Sequence, residues 1–221
     1  MADKNLNKYA NRLVNAFLKN KIISPIPTKY TKKLSEAQKL RKLCESKISK
    51  PIIGFKAAGT GIPVLKKLKE KEPFYASVYK HNVLRNKKRV KINKFTMGIE
   101  LEVCYLIKKK FFAFPKKINK KNIKNFITHI APTIEIVGYR QKKQGIKSLG
   151  DLCSDFGANV KFIVGPKKKF TDQNVKNLKT NIFNRKIKQN IFGNTNTVYI
   201  NHMNSLLFIL KNIQNDKIKL N

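Results

Sequence analysis

Three of the twelve acidic residues stand inside apolar, strand-like segments, where charge is least expected. Glu100 and Glu102 interrupt an apolar run at 98–107, and Glu135 interrupts another at 131–138. A carboxylate buried in such a segment is destabilising unless a cation pairs with it or a proton neutralises it. Because residues i and i+2 of a strand point the same way, Glu100 and Glu102 share one face. A third carboxylate on a neighbouring strand would complete an all-oxygen pocket, which Mg²⁺ and Mn²⁺ favour.

Two further residues could move protons beside such a pocket. Lys56 is a single lysine in the apolar segment 51–58. A buried ammonium needs a carboxylate partner and is easily tuned into an acid or base, whereas a lysine on an edge strand simply faces solvent. Asp155, in the segment 153–159, is either a second proton carrier or a turn-former. The residues alone do not decide between these alternatives for Lys56 and Asp155. They also leave open that Glu100 and Glu102 face solvent on an edge strand.

The spacing of apolar residues predicts the elements that would position these side chains. Helical spacing at 6–17 and 34–48 predicts two N-terminal helices. The predicted strands are 51–58, 75–79, 98–107, 132–138 and 160–164, and further helices are predicted at about 62–69, 119–130 and 203–213. Strands with scattered helices and no internal repeat predict an α+β fold. A chain of 221 residues is long enough for one domain with a substantial core.

The net charge of +37 at first suggests a polyanionic partner. The 49 basic residues, however, are 43 lysines and only 6 arginines. Specific recognition of phosphates and bases relies on the planar guanidinium of arginine. The basic clusters lie between apolar segments, as solvated loops would, at 85–89, 108–110, 116–117, 120–121 and 167–169. Together with abundant Asn and Ile, whose codons are AT-rich, this pattern indicates compositional drift, and we expect no specific nucleic-acid partner.

Several classes of site and location are disfavoured. No apolar stretch reaches the ~18 residues of a transmembrane helix, so we expect no membrane association, and the N-terminus lacks the apolar core of a signal peptide. The three cysteines lack CxxC spacing and are typical of buried thiols in a reducing compartment, which predicts a cytoplasmic protein. The three histidines lie far apart and form no zinc-binding motif.

Five segments occur in an order that resembles the 2-keto-4-pentenoate hydratase group of the fumarylacetoacetate hydrolase superfamily. They are IGFK at 53–56, PFY at 73–75, GIELE at 98–102, PTIEIV at 132–137 and SDFGANVKFIVGP at 154–166. The resemblance covers residues 34–210 and implies a mixed β-roll core with N-terminal helices, assembled into homo-oligomers. It divides the chain into an N-terminal helical segment, 1–50, and a metal-binding β-roll catalytic domain, 51–221.

The resemblance also implies a role for each candidate residue. In that family the E-x-E pair and the later glutamate bind a divalent metal, and the lysine of the G-[FYW]-K strand lies in the active site. Carried over, the Mg²⁺ or Mn²⁺ ligands are Glu100, Glu102 and Glu135, the catalytic residues are Lys56 and Asp155, and the substrate-binding residues are Tyr75 and Asn159.

The sequence departs from the family pattern in three places. Hydratases often read P-D-Y-G where this chain has PFYA at 73–76, and their A-D-N run is Ser154-Asp155-Phe156 here. The family also continues past the helix matched at 201–207 with a G-D-x-[IV] strand and a Thr/Gly-rich strand. We therefore expect these C-terminal strands to be missing.

The activity that the resemblance implies is that of a divalent-metal-dependent lyase. A 2-oxo acid can chelate Mg²⁺, which then stabilises a dienolate while Lys56 and Asp155 move protons. Hydration of 2-hydroxypenta-2,4-dienoate, or decarboxylation of a 2-oxo diacid, is expected ahead of hydrolytic C–C cleavage, because His81 lacks the adjacent glutamate of the hydrolases. The alternative is a degenerate, non-catalytic paralogue that binds RNA or an acidic partner through its basic surface.

Overall fold

The computed structural model describes residues 4–85, 89–142, 146–195, 199, 201–218 and 220. The α-helices are α1 (Lys4–Lys19), α2 (Leu34–Ser46), α3 (Ile62–Lys67), α4 (Leu149–Ser154) and α5 (His202–Asn215). The strands are β1 (Ile52–Ala58), β2 (Phe74–Tyr79), β3 (Val83–Arg85), β4 (Thr96–Ile107), β5 (Ile127–Gly138), β6 (Asn159–Val164), β7 (Lys168–Lys169), β8 (Lys179–Asn184) and β9 (Gln189–Asn194).

The strands form one central sheet and two small antiparallel pairs. The central sheet has the order β3–β6–β5–β4, with β7 also paired to β5. Strand β3 runs parallel to β6, whereas β4, β6 and β7 are antiparallel to β5. The pairs are β1–β2 and β8–β9. The fold is therefore α+β with a mixed sheet and N-terminal helices, as the sequence predicted.

The N-terminal helices share a hydrophobic core with the strands. Leu13 and Phe17 of α1 recur at helical spacing and are buried against Leu40 of α2. The same cluster contains Tyr79 at the end of β2 and Phe156, which follows α4. The helices therefore brace the elements that carry the candidate site.

The two faces of the β1–β2 pair have different neighbours. Lys56 lies opposite Ala76, and Ala57 lies opposite Tyr75, so these two residue pairs occupy different faces of the β1–β2 pair. Phe55, on the Tyr75 face, packs against the hydrophobic cluster that contains α5. The Lys56 face is thus turned away from α5.

The structure confirms most predicted elements and corrects others. The helix predicted at 119–130 is wrong: Ile123–Phe126 forms a 3₁₀-helix, and β5 begins at Ile127. The β-branched residues from Ile127 onward favour a strand, and pairing with β4 along its length decides the conformation. The sequence pattern did not predict α4, β3 or the β8–β9 hairpin, whose amide-rich strands lack apolar alternation.

None of the helices among the described residues is both long and apolar enough to cross a bilayer.

Candidate metal centre

Strands β4 and β5 bring the three glutamates together. Glu100 lies directly opposite Glu135, and Glu102 lies opposite Thr133. Since directly opposite residues of an antiparallel pair, and residues two apart in a strand, project to the same side, all three carboxylates share one face. One oxygen from each carboxylate lies within 4.8 Å of the other two.

Like charges directly opposite each other destabilise a sheet, so we expect a cation to offset the repulsion between these carboxylates. Glu135 is completely buried, and its Oε1 accepts a hydrogen bond from Lys56 Nζ at 2.5 Å. Its Oε2 is also buried and has no hydrogen-bond partner in the described part of the chain. Glu100 and Glu102 retain solvent contact. One ammonium therefore faces three carboxylates, and a buried carboxylate oxygen is left for a second cation.

Lys56 reaches the glutamates from β1. Its side chain is only 10% exposed, and Nζ also donates to the carbonyl oxygen of Gly157 at 3.1 Å. Burial disfavours the ammonium, but Glu135, and then Glu100, more than offset this and raise the pKa of Lys56 above its ordinary value. Lys56 therefore keeps its ammonium form beside the carboxylates at neutral pH.

The pKa values of two of the glutamates are raised, whereas a lysine partner lowers the pKa of a carboxylate on the surface. Burial raises the pKa of Glu135 to about 7, although Lys56 opposes the shift. Glu102 keeps accessible surface, yet desolvation by the surrounding protein still raises its pKa to about 7, opposed by Lys56 and reinforced by Glu135 and Glu100. Glu102 and Glu135 therefore ionise less readily than surface carboxylates, and a bound divalent cation would favour their ionised forms.

The donor atoms fit a hard divalent cation. All three are carboxylate oxygens, the ligands that Mg²⁺ and Mn²⁺ favour. Two oxygens on opposite sides of a cation bound at ~2.1 Å are about 4.2 Å apart. Adjacent oxygens on such a cation are about 3 Å apart, so carboxylate oxygens that lie within 4.8 Å of one another would move closer together on binding it. Neither histidine nor cysteine belongs to this cluster, which disfavours a zinc site of the Cys/His type.

A left-handed turn fixes the position of Lys56. Phe156, Gly157 and Ala158 have φ angles of 55°, 72° and 58°. The conformation is unfavourable by about 1–2 kcal/mol for each residue with a side chain. A Cβ at Gly157 would lie 3.1 Å from the Cβ of Ala76 and 3.6 Å from the Cδ of Lys56. Glycine therefore allows both the φ angle and the close approach that brings its carbonyl group to Lys56.

Asp155 and Asn159 stabilise this turn from either end. Asp155 is completely buried and accepts hydrogen bonds from the backbone N–H of Arg140 at 2.5 Å and from its guanidinium at 3.0 Å. Burial raises the pKa of Asp155, and Arg140 opposes the shift. The Nδ2 of Asn159 donates to the carbonyl oxygen of Phe156 at 2.7 Å. The structure thus binds both side chains to the scaffold and does not place them with the glutamates.

Tyr75 lies on the opposite face of the β1–β2 pair from Lys56. Its hydroxyl donates to the carboxylate of Asp216, just beyond α5, and the guanidinium of Arg41 lies 4.7 Å from its ring centre. We expected Tyr75 to contact substrate, but the structure does not bring it to the carboxylates. The alternation of side chains along β2 is the physical reason.

Comparison of the whole chain with known proteins gives a result for the fold but none for the sequence. No family model matches the sequence, and no curated protein matches it. Among solved structures, 4-oxalocrotonate decarboxylase from Pseudomonas putida G7, complexed with magnesium and adipate, matches 98% of this chain and 83% of its own, with a TM-score of 0.75 and 12% identity. This chain shares the fold of 4-oxalocrotonate decarboxylase.

Two further solved structures match. The same decarboxylase complexed with calcium and acetate has a TM-score of 0.69 at 12% identity, with the same coverage of 98% and 83%. An HpcE-like protein of Mycobacterium smegmatis has a TM-score of 0.50 at 10% identity and covers 90% of this chain and 74% of its own. At such identities the likeness to 4-oxalocrotonate decarboxylase concerns the fold, and it confirms the fold that the hydratase resemblance implied.

Two groups that position the site were not predicted from the sequence. Arg140 is completely enclosed and holds Asp155, and Gly157 provides the second acceptor for Lys56. Arg140 could have been singled out from the sequence, because an arginine that follows an apolar strand is conspicuous in a chain whose other cations are nearly all lysines. The carbonyl group of Gly157 left no signal, since a backbone acceptor depends on the conformation of its turn.

Proposed function

We propose that the protein is a divalent-metal-dependent lyase that acts on 2-oxo acids through an enolate. The observation that carries the proposal is the convergence of Glu100, Glu102 and Glu135 beside the buried Lys56. These residues combine an all-oxygen donor set with a protonated amine, which are the two components that enolate chemistry needs.

The side chains have separate roles in this reaction. Glu100, Glu102 and Glu135 would hold Mg²⁺ or Mn²⁺, which supplies Lewis-acid stabilisation to the negative charge that develops on a 2-oxo acid. Lys56 would donate a proton to the substrate carbon and take it back in the reverse direction. Its bonds to Glu135 and to the carbonyl group of Gly157 fix the direction from which that proton arrives.

Hydration of a dienoic acid and decarboxylation of a 2-oxo diacid both proceed through such an enolate. The hydratase-type sequence pattern favours the first reaction. The shared fold with 4-oxalocrotonate decarboxylase, whose solved structure holds magnesium and the dicarboxylate adipate, favours the second. We place both reactions within the proposed lyase activity.

Turnover measurements test this proposal. The ultraviolet absorbance of 2-hydroxypenta-2,4-dienoate and of 4-oxalocrotonate should decay when the protein is present with Mg²⁺ or Mn²⁺, and EDTA should stop the decay. Lys56→Gln should abolish turnover, whereas Lys91→Gln, at an exposed position, should leave it unchanged. Equal turnover by the Lys56 variant, or no metal-dependent turnover of either acid by the folded protein, would contradict the proposal.

A non-catalytic protein that binds polyanions remains the second candidate because of the net charge of +37. The three clustered carboxylates count against it. They repel one another, and without a bound cation this repulsion would destabilise the folded state.

A further inference from the structure

Thr133 carries a buried hydroxyl that forms no hydrogen bond to oxygen or nitrogen in the described part of the protein. The residue is 5% exposed, and among the described residues its Oγ1 has no oxygen or nitrogen partner. Nearly all buried side-chain hydroxyls in folded proteins have a partner, because burying an unsatisfied one is unfavourable. An unpaired hydroxyl therefore marks a place where another group is expected to bind or move.

The position of Thr133 identifies that group. Thr133 lies directly opposite Glu102 across β4 and β5, and two residues before Glu135 on its own strand. It consequently projects from the same sheet face as the three carboxylates. Directly opposite residues have Cβ atoms about 4.5–5.5 Å apart, so the hydroxyl can reach the carboxylate of Glu102.

Cys104 is the alternative partner for this hydroxyl. It lies two residues beyond Glu102 on the same face, and its thiol interacts with Thr133. Sulfur is a weak hydrogen-bond acceptor and a thiol is a weak donor, so this contact does not satisfy a buried hydroxyl. Glu102 is the stronger acceptor.

We propose that Thr133 is a positioning residue, whose hydroxyl donates to the carboxylate of Glu102 when the site binds a divalent cation. The inference rests on the proposed function. A carboxylate that gives one oxygen to a cation is usually held through the other by a hydrogen-bond donor, and Thr133 is the residue directly opposite. Thr133 thereby selects the orientation in which Glu102 turns toward Glu100 and Glu135.

Matched variants separate this role from a structural one. Thr133→Val removes the hydroxyl while keeping the branched shape, Thr133→Ser restores a hydroxyl, and Cys104→Ala removes the alternative partner. The dissociation constant for Mn²⁺ is measured on each full-length chain by electron paramagnetic resonance. The melting temperature of each is measured in EDTA.

Thr133→Val should weaken Mn²⁺ binding about tenfold or more, the usual effect of removing a group that orients a metal ligand. Thr133→Ser and Cys104→Ala should bind Mn²⁺ as the unsubstituted protein does. In EDTA the melting temperature of Thr133→Val should be unchanged or higher, because the substitution removes a buried unpaired hydroxyl.

Equal Mn²⁺ affinity in Thr133→Val and the unsubstituted protein would overturn this inference and leave the proposed function intact. Weakened binding in Cys104→Ala and Thr133→Val alike would overturn it too, since the thiol would then be the partner that matters. Failure of the unsubstituted protein to bind Mn²⁺ would overturn the proposed function and this inference with it.

Discussion

Lys56 and Glu135 form a buried ion pair within the carboxylate cluster. Their side chains are 10% and 1% exposed. Lys56 is held further by the carbonyl group of Gly157, whereas Oε2 of Glu135 accepts no hydrogen bond from any residue that the structure describes. The pair is therefore rigid at the lysine and has a free coordination site at the glutamate.

This pairing predicts strong coupling between the two residues. At pH 8 in EDTA, Lys56→Met should lower the free energy of unfolding by about 3–5 kcal/mol, because the buried carboxylate of Glu135 is left uncompensated. Glu135→Gln should lower it by less, because Glu100 and Glu102 still face the ammonium of Lys56. The double variant should be destabilised by much less than the sum. Urea unfolding of all four proteins measures the coupling, and additive losses would show that the pair is not electrostatically linked.

The raised pKa values predict how stability and metal binding depend on pH. The pKa values of Glu102 and Glu135 are about 7 in the folded protein, against an ordinary value of 4.5. Between these limits the folded state binds more protons than the unfolded state, so stability without metal should fall as pH rises through the window. Cation binding needs ionised carboxylates, so Mg²⁺ affinity should rise over the same range.

Glu102→Gln isolates one of these groups. The decline in melting temperature between pH 4.5 and pH 7 in EDTA should be smaller in this variant than in the unsubstituted protein, and Glu72→Gln, on the surface, serves as the control. A decline that is identical in all three proteins would exclude Glu102 as a contributor.

The left-handed turn holds the side chain of Lys56 in position through the carbonyl group of Gly157. Three consecutive residues, Phe156 to Ala158, have positive φ angles, and they persist because both flanking residues are bonded into the scaffold. Asp155 binds Arg140 at one end and Asn159 binds Phe156 at the other. The turn therefore depends on a buried ion pair that never touches the carboxylate cluster.

Asp155→Asn tests whether that residue stabilises the turn or takes part in the reaction. It leaves Arg140 without its carboxylate, so the free energy of unfolding should fall by about 3–5 kcal/mol. The folded fraction should retain Mn²⁺ binding, because Asp155 is not placed with the glutamates. A variant that keeps full stability and metal binding but loses turnover would instead support the catalytic role predicted from the sequence.

At this scale, sequence patterns predicted some features and could not predict others. The E-x-E spacing showed that Glu100 and Glu102 share a face, because alternation is a local property of strands. The placement of Glu135 opposite Glu100 depended on the register of β4 and β5, which is set by the whole sheet. Tyr75 and Asn159 were assigned by resemblance, and their contacts depend on which side of an element faces the site.

The whole molecule carries its positive charge as lysine spread over the surface. Of the 49 basic residues only 6 are arginine, and Arg41 and Arg140 are buried in ion pairs with Glu45 and Asp155. Few guanidinium groups are therefore left on the surface to read phosphates or bases.

This distribution predicts weak and sequence-independent binding to nucleic acids. Fluorescence anisotropy should detect binding of duplex DNA and RNA at low ionic strength, and the affinity should collapse at physiological salt through counterion competition. Tight binding to a particular RNA at physiological salt would favour the non-catalytic candidate function.

The central claim is that Glu100, Glu102 and Glu135 form one site for a divalent cation, and Mn²⁺ titration followed by electron paramagnetic resonance tests it most directly. The signal of free Mn²⁺ should disappear up to one equivalent per chain, and excess Mg²⁺ should restore it. In Glu100→Gln/Glu102→Gln, with the Lys56–Glu135 pair intact, the signal should remain from the first addition. Tight stoichiometric binding by that double variant, or none by the unsubstituted protein, would contradict the account.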